Sequence, residues 1–236
     1  MPSPSDLARI GQRLEAEIDA KDKLREQAMV RCRGILRSST GAVRAIHQGE
    51  DPTEAIAGAV REAGEVAKLL QGHPEVSGAG FVEEALQELA EAGVVHAILV
   101  DKPLPTPEDL HCPPIPYLLG LGDAVGELRR AALDAMRTRQ WARAEALLGW
   151  MDALFDLLIR IDQPVAAQVR RKQDVARGLI EKTRGELTVA MRGKTLEEGI
   201  TGILDELEKG KKGAKKRAPP KDLDLDAESE FGKGRR

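Results

Sequence analysis

From Ser3 to Gly49 the apolar residues keep a helical period without a break, and this stretch does most to limit what the chain can fold into. Ser3-Pro4-Ser5-Asp6 opens it with a capping serine, proline at the first helical position and an acid in the first turn. Leu7, Ile10, Leu14, Ile18, Leu24, Ala28, Cys32, Ile35, Val43 and Ile46 then recur at helical spacing until Gly49. At ~1.5 Å per residue such a helix is roughly 60 Å long, and it needs partners along its whole length. The chain must therefore supply further long helices, or copies of itself, to cover it.

Further helices follow. Asp51-Pro52-Thr53-Glu54 is a capping box opening a second helix that ends by Gly72 and Pro74, and a third runs from near Phe81 to before Pro103. Five prolines between Asp101 and Pro116 make a connector with at most one short turn after Pro107. A fourth helix is expected from Tyr117 to Arg139, a fifth from Trp141 to Ile161 and a sixth from Pro164 to Arg192. Thr195-Leu196-Glu197-Glu198 reads as another capping box, opening a seventh helix with Ile200, Ile203, Leu204 and Leu207 on one side. The expectation is an all-α chain of about seven helices, with one helical domain over 1–208 and a disordered, charged tail over 209–236. Aromatic residues are only 3% of the chain while helix formers abound, which supports the class.

The fifth helix is apolar on almost every side, through Trp141, Ala144, Leu147, Leu148, Trp150, Met151, Leu154, Phe155, Leu157, Leu158 and Ile159. It must be buried all round, either as a central core helix or against another subunit. On the sixth helix, Arg170, Arg177 and Arg184 at heptad spacing with Asp174 and Glu181 between them read most simply as a salt-bridged, solvated face. The two cysteines, Cys32 and Cys112, form neither a zinc pattern nor a disulfide framework. No window reaches the ~18 consecutive apolar residues of a membrane helix and no leader pattern opens the chain, so a cytoplasmic protein without a membrane partner is expected. The net charge of −3 leaves nucleic-acid binding to a local basic patch.

Chemistry concentrates on two helices. Glu88 and Glu91 lie three apart on the third, beside Glu84 and just before the apolar run Ala92 to Val100. A solvated acidic stripe is the plain explanation of such a pair, but the helix is entering a packed interior where unpaired carboxylates are costly. Asp123 and Glu127 lie four apart on the fourth, within an apolar segment carrying Gly120, Gly122 and Gly126. Each glycine costs ~1 kcal/mol against alanine in a helix, so close approach of a backbone, metal or ligand is the physical reason to keep it. A hard divalent cation held by carboxylates from both helices would relieve both like-charged pairs and would suit phosphodiester hydrolysis. Arg130 either pairs with a carboxylate or contacts a substrate phosphate. Phosphate-loop, serine-hydrolase, zinc-protease and dinucleotide-binding fingerprints are absent, and the spacing of Glu91 and His96 does not suit a di-iron bundle.

The segments Pro116 to Arg130 (PYLLGLGDAVGELRR) and Leu86 to Ala92 (LQELAEA), with the first-helix stretch from Leu14 to Gly49, resemble the translin family, in particular its translin-associated factor X branch and archaeal relatives. The resemblance implies a seven-helix fold that assembles as a hollow, typically octameric shell around single-stranded nucleic acid, either as a homo-oligomer or with a second translin-family subunit. It also implies a metal-dependent endoribonuclease acting on single-stranded RNA, with single-stranded DNA as a related ligand. In that reading Glu88, Glu91, Asp123 and Glu127 hold Mg2+ or Mn2+ and carry catalysis. Ahead of the third helix this chain has His73-Pro74-Glu75-Val76-Ser77-Gly78-Ala79-Gly80, where the translin branch carries basic, nucleic-acid-binding residues. The alternative is a non-catalytic, single-stranded nucleic-acid-binding protein of the translin type.

Overall fold

The computed structural model describes residues 3–161, 163 and 167–215. Among them all regular structure is helical: α1 (Pro4–Gln48), α2 (Thr53–Leu69), α3 (Pro74–Ser77), α4 (Gly80–Leu99), α5 (Pro114–Arg137), α6 (Trp141–Leu158) and α7 (Ala167–Lys215). Contacts divide the chain into two compact units, Met1–Val189 and Ala190–Arg236.

Local chemistry sets the ends of α1. The Ser3 N–H donates to Asp6 Oδ2 at 3.0 Å, and Gly49 closes the helix in the left-handed region at φ 74°. That conformation lets the Glu50 N–H reach Ala45 O at 2.9 Å and satisfies a carbonyl left over at the helix end. Asp51 Oδ1 takes both the N–H and the hydroxyl of Thr53, at 3.0 and 2.6 Å, and so starts α2. Tyr117 donates its hydroxyl to Pro105 O at 2.7 Å, tying the proline-rich connector to α5.

In the first unit α4 is the central helix. Leu86, Leu89 and Ala90 join one core with Ala28, Cys32 and Ile35 of α1 and Ala59, Ala63 and Val66 of α2. Val94, Val95 and Ile98 join a second core with Leu121, Val125 and Leu128 of α5, Met151 and Leu158 of α6, and Val169, Ala176 and Ile180 of α7. Leu89, Val94 and Val95 are fully buried, each contributing ~1.5–3 kcal/mol by leaving water.

Several sequence expectations change. The helix buried on all sides is α4, not α6: Trp150 and Leu157 on α6, and Ile159 just after it, stay 37–46% exposed, which removes the central-core reading of that helix. The first turns of α1 expose Leu7, Ile10, Leu14 and Ile18, so that end of the helix lacks the partner its length requires among the described residues of the first unit. A one-turn helix, α3, occupies Pro74–Ser77, where proline at its first position allowed a turn that the periodicity did not show. The expected break at Thr195 does not form. Its hydroxyl donates to Met191 O at 3.2 Å, the backward bond of a mid-helix threonine, and α7 runs through. Residues Pro164 to Ala166, where the sixth helix was expected to begin, lie outside the described residues; of the tail expected over 209–236, residues 209–215 continue α7 and the rest lies outside the described residues. The arginines of α7 also depart from expectation by reaching across to α6: Arg184 binds both Asp152 oxygens at 2.7 and 2.9 Å, and Arg177 sits 5.6 Å from the Phe155 ring centre. Among the described residues no helix is long and apolar enough to cross a membrane.

Candidate functional site

The contact between α4 and α5 depends on glycine. A Cβ on Gly120 would stand 2.6 Å from Gln87 O, 2.8 Å from Ala90 Cβ and 3.0 Å from Glu91 N, so any larger residue would push the two backbones apart. Gly122 serves α7 in the same way, since a Cβ there would lie 2.7 Å from Lys172 Cβ. These two glycines have the close-approach role expected from sequence. Gly126 does not, because its nearest neighbour would be Leu179 Cδ1 at an ordinary 3.9 Å.

With the backbones this close, the i,i+3 pair of α4 and the i,i+4 pair of α5 face one another, and Glu88, Asp123 and Glu127 all act on Glu91. Glu91 is 8% exposed. Burial first, and then Glu88, Asp123 and Glu127, push its carboxyl up to about 8, with Lys172 opposing the shift. Glu88 is also held above the usual glutamate range by burial and by Asp123, against a weak hydrogen bond from the Thr40 hydroxyl at 3.4 Å. Asp123 accepts a hydrogen bond from Gln87 Nε2 at 2.6 Å and pairs with Lys172 Nζ. Glu127 pairs with the nearly buried His47 Nε2.

Thus α1, α4, α5 and α7 all contribute to the site. The structure brings together the four carboxylates singled out from sequence. It does not bring Arg130 to them: that side chain is exposed, whereas its neighbour Arg129 is engaged with Thr183 at 2.6 Å and Glu186 at 2.9 Å. Sequence reasoning missed Thr40, His47, Gln87 and Lys172. Gln87 had a signal, since it sits next to Glu88 on the turn that approaches Gly120. His47 and Lys172 had none, because they are brought in from 80 and 49 positions away.

The donor set suits a hard divalent cation, with four carboxylates, no thiolate and one histidine against a carboxylate. A buried glutamate whose proton is retained by three like-charged neighbours is the electrostatic setting in which a cation would lower the free energy most. Among the described residues no group of three or more His, Cys, Asp or Glu side chains is arranged to hold an ion. Lys172 instead supplies the counter-charge to Asp123, and His47 is the hydrogen-bond partner of Glu127. The four carboxylates have the donor chemistry of a divalent-ion site but not, as placed, its geometry, and ligation would require Lys172, a long and flexible side chain, to turn away. An open concavity of about 750 Å³ between α1 and α2, bordered by Gln27, Arg31, Glu62 and Lys68, includes none of the four carboxylates. The Arg31–Glu62 pair at 2.8 Å already neutralises its charge.

No protein-family model matches the chain. An uncharacterized protein of Methanocaldococcus jannaschii is 33% identical over 188 residues, covering 78% of this chain and 83% of that protein. The crystal structure of AfC3PO is similar with a TM-score of 0.69 and 30% identity, over 80% of this chain and 99% of that one. The structure of an AfC3PO–duplex RNA complex is similar at 0.65 and 30%, over 80% of this chain and 98% of that one. Apo-NeC3PO, at 18% identity and a TM-score of 0.67 over 80% of this chain and 98% of that one, shares the fold.

Proposed function

The chain belongs to the translin family, and on that premise we propose that it is a divalent-metal-dependent endoribonuclease that cleaves single-stranded RNA inside an oligomeric shell. The observation that carries this reading is Glu91, buried between two helices and pushed up to about 8 among three other carboxylates. Structural ion-pair networks seldom bury a glutamate with so little positive charge around it, whereas a metal site needs that surplus of negative charge. RNA as the ligand class is supported by the AfC3PO–duplex RNA complex, a relative at 30% identity.

In the proposed reaction Glu88, Glu91, Asp123 and Glu127 hold Mg2+ or Mn2+, which when bound lowers the pKa of a water and offsets phosphate charge in the transition state. Gln87, hydrogen-bonded to Asp123, fixes the orientation of that carboxylate, and His47 does the same for Glu127. Lys172, released from Asp123, would be free to neutralise a phosphate oxygen. The exposed apolar residues of α6 and of the first turns of α1 support an assembly in which other copies cover them.

The full-length protein is expected to nick an unstructured RNA when Mg2+ or Mn2+ is present and to lose this activity in Asp123→Ala. Equal cleavage by the variant overturns the assignment. A non-catalytic, single-stranded nucleic-acid-binding shell is the second reading, favoured by Lys172 and His47, which give Asp123 and Glu127 partners without any ion. It predicts RNA binding without turnover in either metal.

A further inference from the structure

In the second compact unit α7 exposes an apolar seam with a defined period. Leu196, Ile200, Ile203 and Leu207 are 58–68% exposed and follow one another at steps of four, three and four residues, the alternation of a coiled-coil heptad. Leu196 and Ile203 hold its d positions, and Ile200 and Leu207 its a positions. A lone solvated helix gains nothing from such a seam, which calls for an apolar partner along it.

We propose that this segment pairs in parallel with the same segment of a second copy of the chain as a short coiled coil. Three features select that occupant and direction. In a parallel pair each g residue faces the e residue five positions later on the other strand, which sets Arg192 opposite Glu197. The next g position is Gly199, which leaves space for the large e residue Leu204, 56% exposed, of the second copy. Antiparallel strands oppose e with e, which would place Glu197 against its own copy or against Leu204. No charged residue interrupts the a and d positions from Leu196 to Leu207. The exposed stripe of α1 is a poorer seam, because the heptad begun by Leu7, Ile10 and Leu14 continues onto Glu17 and Lys21.

The seam is shorter than the three to four heptads an isolated coil needs, so the pairing acts between copies already held close, where effective concentrations reach the millimolar range. In that respect the inference rests on the oligomeric assembly proposed above, and the test separates the two. Full-length Ile203→Cys and Asp205→Cys are exposed to a mild oxidant while light scattering records the mass of each. Position 203 lies in the seam, where the two copies bring equivalent residues within disulfide reach, and position 205 is on the outer face. The buried Cys32 and Cys112 make the unaltered chain the background control. The expected result is disulfide-linked dimer forming roughly ten-fold faster at 203 than at 205, since only d-position residues meet across a parallel pair. An oligomer that cross-links equally at both positions, or at neither, overturns the pairing and leaves the assembly standing. A monomer without cross-linking overturns both.

Discussion

Between α4 and α5 the chain buries an acid, and along the end of α7 it exposes leucines and isoleucines. Each region inverts the usual distribution, and each inversion has its own physical reading. Glu91 at 8% exposure is a carboxyl kept out of water with too few cations beside it to hold it ionised, which points to a ligand that brings positive charge. Ile200 at 59% and Ile203 at 61% are apolar surface kept in water at a regular period, which points to an apolar partner of the same geometry. The first region is held by backbone contact through Gly120. In the second, glycines such as Gly202 have nothing within 4 Å.

The largest effect that would sharpen this contrast is at Glu91. An ordinary glutamate titrates near 4.5 and Glu91 near 8, so the folded chain holds a proton that the unfolded chain has lost across that window. Where the folded state binds the extra proton, stability falls as pH rises. The contribution of Glu91 is therefore fully present below about 4.5, falls away towards pH 8 and is constant above it. Glu91→Gln keeps the shape and cannot ionise, so its melting temperature should exceed that of the parent at about pH 8, by up to a few kcal/mol of stability, and match it near pH 5. An equal difference at both values would mean that Glu91 is not the acid it is taken to be.

A smaller effect separates the glycines. Gly120→Ala must drive α5 off the α4 backbone and should cost about 1–3 kcal/mol in denaturant unfolding. Gly202→Ala meets nothing and removes a weak helix former, so it should add about 0.5–1 kcal/mol to the helicity of its segment, read by circular dichroism. Destabilisation of similar size at both positions would break the comparison.

Much of this was legible from local chemistry. The caps at Ser3 and Asp51, the left-handed stop at Gly49 and the glycine-bearing α5 all act within a few residues of themselves, so their spacing in the sequence was enough. The two acidic pairs were legible for the same reason, each being one turn of one helix. What sequence could not supply was any relation between distant segments. His47 and Lys172 reach the acids only through packing of α1 and α7, and the central place of α4 depends on which helices cover it rather than on its own composition. The mistaken break at Thr195 is a different failure: a capping box and a mid-helix threonine share the same residues, and only the bond to Met191 O tells them apart.

The central claim is that Glu88, Glu91, Asp123 and Glu127 form one divalent-cation site. Crystals of the full-length protein soaked in Mn2+ and measured at an anomalous wavelength test it directly. The account predicts an ion peak between α4 and α5 within bonding distance of carboxylates from both helices, with Lys172 moved off Asp123. Lys172 still on Asp123 with no peak there, or a peak elsewhere in the chain, would contradict it.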